Sequence, residues 1–169
     1  MRESHDTLLK LQQVIEWSEA TAGDAIRRNF VGSGWTMSAA EFVDFWGEGR
    51  MASVSTASGR GQVHAVPLDI HLVDGVFYVP TFPDSRRLRD HRENPRCVIT
   101  SWDGPYRAVI VIGIANEANL DPTDRTGVTA VEQGYAATSM VTIAVRPTRI
   151  YAIRPPAGHH ASSDFGEAG

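Results

Sequence analysis

The stretch Gly61-Gln62-Val63-His64-Ala65-Val66-Pro67-Leu68-Asp69-Ile70-His71-Leu72-Val73-Asp74-Gly75-Val76-Phe77-Tyr78-Val79 decides the fold of this chain. Val63 to Leu72 is largely β-prone, Asp74-Gly75 is a strong two-residue hairpin turn, and Val76 to Val79 is the returning strand. Pro67 lacks the N–H that a ladder requires, so the sequence predicts a sheet edge or a local break there. Upstream, Met51 to Ser55 reads as a short strand that enters the loop Ser58-Gly59-Arg60-Gly61. Downstream, Pro83-Asp84-Ser85 opens a helix through Leu88 to Glu93, and Asn94-Pro95 ends it because the residue before proline avoids helical dihedrals.

Further along, Cys97 to Trp102 is a strand, and Arg107 to Ile114 is a longer one, so continuously apolar that burial is expected. Asn119 to Thr126 is a polar connector and Val128 to Ala137 a weaker helix. Val141 to Val145 and Arg149 to Ile153 are two closing strands separated by Pro147. On the amino-terminal side, Leu8, Leu11, Val14, Ile15 and Trp17 recur near the spacing of a helix face, so residues 6–30 read as helical, with a short second turn after Gly23. Ser38 is an N-cap with Glu41 at the capping-box position, opening a helix through Phe42, Phe45 and Trp46. The sum is mainly β with helical decorations, a small barrel or sandwich. Three segments follow: residues 1–37 as a helical extension, 38–155 as the main domain and 156–169 as a flexible tail rich in Gly, Ala, Ser, Pro and His.

The composition narrows the class. With 169 residues, 42% hydrophobic and 21% charged, the chain is long enough for one cored domain and too apolar for wholesale disorder. The longest apolar run, Ala108 to Ile112, is far short of the roughly 20 residues of a membrane helix, and the amino terminus has no signal-like apolar core. The lone Cys97 makes no internal disulfide, which together points to a reducing, cytoplasmic compartment. A net charge of −4 argues against a nucleic-acid partner. The basic excess is local: residues 84–96 hold five arginines against three acids, a patch sized for a small anion.

Two segments carry candidate chemistry. Thr81 to Arg87 supplies two hydroxyls and, in the first turn of a helix, Arg86 and Arg87, a set suited to phosphate. The plainer reading, in which Asp84 or Ser85 caps the helix and the arginines are solvated, stays open on the residues alone. At His64-Ala65-Val66-Pro67-Leu68, a proline-freed backbone offers N–H and C=O groups to a planar heterocycle, though an ordinary edge strand gives the same pattern. Trp102, Tyr106 and Arg107 bracket a loop as core or rim aromatics, or as a stacking wall for a ring. His64 and His71, seven apart on one strand, point to opposite faces, and no pair of histidines has ligand spacing, so no metal is expected. Neither a Gly-x-Ser-x-Gly elbow nor a Gly-x-Gly-x-x-Gly turn is present.

The order of these pieces is more specific than any one of them. Arg50-Met51-Ala52-Ser53-Val54, Gly61 to Leu68, Asp74-Gly75, Phe77-Tyr78-Val79, Ser85-Arg86-Arg87 and Asn94-Pro95-Arg96-Cys97-Val98 together resemble the pyridoxamine 5'-phosphate oxidase-like, FMN-binding split-barrel superfamily. Pro105-Tyr106-Arg107 leading into Val109 to Gly113 is similar to its flavin/deazaflavin oxidoreductase branch. Over residues 38–154 the resemblance implies a six-stranded Greek-key split β-barrel, a homodimer, and a cofactor in a groove at the dimer interface. It implies that His64, Ala65, Val66, Pro67 and Leu68 run along the ring and that Thr81, Ser85, Arg86 and Arg87 hold the phosphate. The resemblance also implies Arg50 near the polar chain of the cofactor, and Trp102 and Tyr106 supplied by the second subunit. The implied activity is hydride transfer between bound FMN and a small organic substrate. Coenzyme F-420 is the alternative cofactor, its acidic tail served by Arg89 and Arg92, and a non-catalytic flavin or haem protein with His64 as ligand is the alternative of another class. A purely structural dimer with a decayed site is the third. The ending Arg154-Pro155-Pro156 departs from the substrate motif of true pyridoxamine-phosphate oxidases, which argues against vitamin B6 oxidation. Arginine also replaces the family's usual lysine near the phosphate, keeping the charge but not the geometry.

Overall fold

The computed structural model describes residues 3–47, 49–104, 106–118, 122–135 and 140–156. Six antiparallel strands close a barrel: β1 (Arg50–Ala57), β2 (Val63–Val73), β3 (Val76–Thr81), β4 (Arg96–Asp103), β5 (Arg107–Glu117) and β6 (Val141–Ile153). Their order around the barrel is β1-β2-β3-β6-β5-β4, and β4 returns to pair with β1. The turn between β2 and β3 is the Asp74-Gly75 pair, with φ of 51° and 75°, the left-handed conformation that a two-residue hairpin requires.

Helices cap the barrel. They are α1 (His5–Ala20), α2 (Asp24–Ile26) running into a π-helical turn at Arg27–Val31, α3 (Ala39–Trp46), α4 (Arg86–Glu93) and α5 (Pro122–Gly134). Ser38 and Glu41 form the expected capping box at α3. At that end of the barrel Phe42, Trp46 and Phe77 pack edge to face, with Trp46 and Phe77 centroids 4.7 Å apart, and the Trp46 indole N–H donates to the Ile70 carbonyl at 3.0 Å. Leu11 and Ile15 of α1 share this core, and the Ser18 hydroxyl oxygen of α1 accepts from the Ile150 N–H. At the other end α4 inserts Leu88, capped by the Ser85 hydroxyl, which accepts from the Leu88 N–H.

Several expectations are revised. Trp17 is not on the buried stripe of α1: it lies two residues beyond Ile15, a turn of about 200°, and is half exposed under the Arg149 guanidinium at 4.4 Å. β5 is buried on one face only, through Val109, Val111, Gly113 and Ala115, while Ala108, Ile110, Ile112 and Ile114 are half-buried on the outer face. Pro147 does not split the last strand. It sits opposite Gly113 at a register shift, where a bulge removes the need for its missing N–H. α5 starts earlier than Val128, while Ala136, Ala137 and the tail from 157 lie outside the described residues.

Candidate functional site

The closed barrel leaves one strand edge largely unpaired among the described residues. β2 pairs with β1 over Val63–Ile70 but with β3 only over His71–Val73. Among the described residues no strand covers the other edge of Val63–Ile70, so its alternate N–H and C=O groups face a groove. Pro67 fits within this uninterrupted strand because that edge makes no ladder demand on its missing N–H. His64, Val66 and Leu68 turn inward, and Ala65 and Pro67 are exposed on the outer face.

Across the groove lies a basic end. Arg87 is half-buried, donating from Nε to the Thr81 hydroxyl at 3.2 Å and from a terminal nitrogen to the Pro80 carbonyl at 3.0 Å. Burial draws its pKa down, yet among the described residues no carboxylate pairs with it. Thr81 is fully buried. Ser85 uses its hydroxyl oxygen to cap α4 and keeps its O–H to donate. Arg86 reaches the Gln62 side-chain carbonyl at 2.7 Å and, with Arg60 and Arg89, lines a cavity of about 310 Å³ beside α4.

The structure thus gathers Thr81, Ser85, Arg86 and Arg87 around the start of α4, next to β2. It does not bring Arg50 to them. The Arg50 guanidinium stacks 3.8 Å from the Phe45 ring and donates to the Phe45 carbonyl and the Ser101 hydroxyl, at the far end of β1 from Thr56. Trp102 is two-thirds exposed at that same end, and Tyr106 packs edge-on against Trp35. Cys97 is buried with its thiol pushed up to about 12 by desolvation, which leaves it inert as a nucleophile.

Three features are not legible in the local sequence. His64 Nδ1 lies 2.8 Å from Asp90 Oδ2, and Thr56 donates to the same oxygen at 2.8 Å. Burial alone would raise the Asp90 pKa, but these two hydrogen bonds and the nearby Arg86 hold it below the usual carboxylate range. The residues meet only because α4 closes the barrel end, 26 positions from His64. Second, the Tyr135 phenol meets the Asp69 backbone and is near Arg87; desolvation and the Asp69 charge raise its pKa. Third, a cavity of about 550 Å³ opens between β2 and α5, lined by Asp69, His71, Leu72, Val73, Ala130 and Gln133 among others.

Solved structures with this arrangement superpose on the chain. A conserved hypothetical protein from Mycobacterium tuberculosis aligns with a TM-score of 0.62 at 20% identity, over 76% of this chain and 95% of that one. A putative pyridoxamine 5'-phosphate oxidase from Listeria innocua aligns with a TM-score of 0.52 at 17% identity, over 60% and 86%. The haem storage protein of Vibrio cholerae aligns with a TM-score of 0.57 at 11% identity, over 67% and 92%. The chain has the split-barrel fold. No family model and no curated protein matches the sequence.

In this split barrel the outer face of β2, β1, β4 and β5 is built from small and apolar side chains in register. One row runs Pro67, Ser53, Thr100, Ile110, and the next Ala65, Ser55, Val98, Ile112. Met51, Val63 and Trp102 are exposed around it. Among the described residues no helix is long and apolar enough to cross a membrane.

Proposed function

We propose that this split barrel is a homodimeric oxidoreductase that binds FMN along the open edge of β2 and moves a hydride between the flavin and a small organic substrate. The observation that carries the reading is the meeting of two features. The uncovered Val63–Ile70 edge presents alternating backbone donors and acceptors, and beside it a half-buried Arg87 has no carboxylate partner among the described residues. A planar heterocycle with an imide edge suits the first, and a phosphate suits the second. The backbone of His64, Ala65, Val66, Pro67 and Leu68 runs along the ring, and Thr81, Ser85, Arg86 and Arg87 hold the phosphate. FMN supplies the hydride chemistry when bound, and the protein orients the partners and keeps water out. A second copy seated on the apolar rows of β1, β2, β4 and β5 closes the groove and brings its own Trp102 and Tyr106 to it.

The test is an absorption spectrum of the purified protein titrated with FMN and, separately, with F-420. A retained or perturbed flavin band that is lost in the Arg86→Ala, Arg87→Ala double variant is the expected result. A folded protein that perturbs neither spectrum overturns the reading. F-420 binding in place of FMN moves the cofactor but keeps the site, with Arg89 as the seat for its acidic tail; Arg92, the other arginine expected to serve it, pairs with Glu117 at 2.7 Å.

One observation favours a second reading. With Nδ1 directed at Asp90, His64 Nε2 is buried and has no hydrogen-bond partner among the described residues. A carboxylate-oriented imidazole is the usual form of an axial haem ligand. A Soret band that shifts in His64→Ala, with no flavin band, replaces the oxidoreductase by a haem-binding protein.

A further inference from the structure

The groove has a second end. Asp69 is the penultimate residue of the uncovered segment of β2, and its carboxylate lines the cavity of about 550 Å³ under α5. Its backbone meets the Tyr135 phenol, and Tyr135 in turn is near Arg87. Asp69 at this end of the strand and Arg87 beside the other carry opposite charge.

Among the described residues the cavity lining contains one carboxylate, Asp69, and neither lysine nor arginine. Among the described residues Asp69 takes part in no ion pair. His71 is the other titratable group on the lining, and it converges with Asp69 on a single point. A Cβ added at Gly49 would lie 3.3 Å from both Asp69 Oδ1 and His71 Cε1. Glycine there lets the chain enter β1 without filling the space between carboxylate and imidazole. Leu72, Val73 and Ala130 supply the apolar part of the lining. The volume suits a small organic molecule.

We infer that this cavity is the pocket for the substrate of the proposed reaction, and that Asp69 selects a small organic cation, a protonated amine on an apolar body, over a carboxylate or phosphate. The role as substrate pocket rests on the reading of the groove as a flavin site. The selection by charge does not. An ammonium group donates to the Asp69 carboxylate, where a charge-assisted hydrogen bond in a recessed site is stronger than one in water, and the body covers Leu72 and Val73. An anionic ligand meets like charge in the same place.

The test is a ¹⁵N–¹H titration of the full chain with benzylamine and with benzoate, which share a ring and differ in charge, each run with and without FMN. Benzylamine is expected to shift the amides of Gly49, Asp69 and Gly134 saturably, and benzoate to leave them unmoved. Asp69→Asn should weaken benzylamine by about tenfold or more, while Glu132→Gln, an exposed acid of α5, should leave it unchanged. The spectrum of each variant reports whether it is folded. Equal binding of both probes, binding that Asp69→Asn does not weaken, or no binding of benzylamine overturns the proposal. Benzylamine binding without any FMN binding keeps the cation pocket and removes the flavin reading, so the two failures are distinct.

Discussion

β3 and β1 are strands of one barrel with opposite fates. β3 is buried on both faces: Phe77 and Val79 point into the core, and Tyr78 points outward beneath α5, with its hydroxyl donating to Asp124 at 3.0 Å. Arg146 of β6 clamps the same carboxylate at 3.0 Å. β1 buries only its inward face, Ala52, Val54 and Thr56, and presents Met51, Ser53 and Ser55 outward. Alternation of the strand is the same in both. The difference is that, among the described residues, helices cover one wall and leave the other bare, with its apolar rows and its unpaired edge adjoining each other. The covered wall makes the barrel stable, and the bare wall is the one to which the proposal assigns the cofactor and the second copy.

The largest effect is expected on the covered wall. α5 approaches Tyr78 so closely at Gly127 that an added Cβ would fall 2.1 to 2.3 Å from ring atoms. Gly127→Ala should therefore lift the helix and destabilise the chain by about 3 kcal/mol, read by urea unfolding. A cost below about 0.5 kcal/mol would show that α5 does not seal this wall, and the contrast with β1 would fail.

The next effect lies at the α4 end, between the two walls. His91 is buried, neither ring nitrogen has a hydrogen-bond partner among the described residues, and desolvation with the neighbouring Arg87 pushes its pKa down to about 4. An unfolded histidine titrates near 6.5, so on acidification the unfolded chain takes up this proton first. Stability from this group is intact above about pH 6.5 and is lost as pH falls toward about 4. Between pH 7 and pH 4.5 the loss should be roughly 2–3 kcal/mol, and His91→Phe should remove that part of the pH dependence. Parallel pH profiles for the two proteins would place the buried imidazole elsewhere.

The smallest effect on stability is expected on the bare wall. Ile112→Glu, in the middle of an outer row, should change the unfolding free energy of the monomer by less than about 1 kcal/mol while sedimentation shifts from dimer to monomer. A monomeric wild type, or a variant that remains dimeric, would break the assignment of this face.

Much of the barrel is legible in the sequence because its signals are local. Asp74-Gly75, the Ser38–Glu41 capping box, and Ser85 with Asn94-Pro95 around α4 each depend on a few adjacent residues, and the structure has all of them. Pro147 reads as a break because the sequence does not show that β6 bulges at Thr148, beside the proline, and pairs on with β5 through Gly113. The basic end was legible as Ser85-Arg86-Arg87, but its partners Thr81 and Pro80 matter through a bend in the chain. Arg50 illustrates the reverse case: its type suggests an anion, while the Phe45 ring and nearby oxygens occupy it. Asp90, Tyr135 and the Asp69 cavity were not legible, since each arises where a helix lands on the barrel and no spacing within the chain encodes that landing.

The central claim is that the open edge of β2 and the half-buried Arg87 form one cofactor site. Its most direct test is a fluorescence-quench titration of FMN into wild type and Arg87→Ala, with unfolding curves to confirm that both are folded. Saturable binding by wild type, at one FMN per chain, and affinity at least about a hundredfold weaker in Arg87→Ala are the results this account predicts. Equal affinity in the two proteins, or no binding by folded wild type, would contradict it.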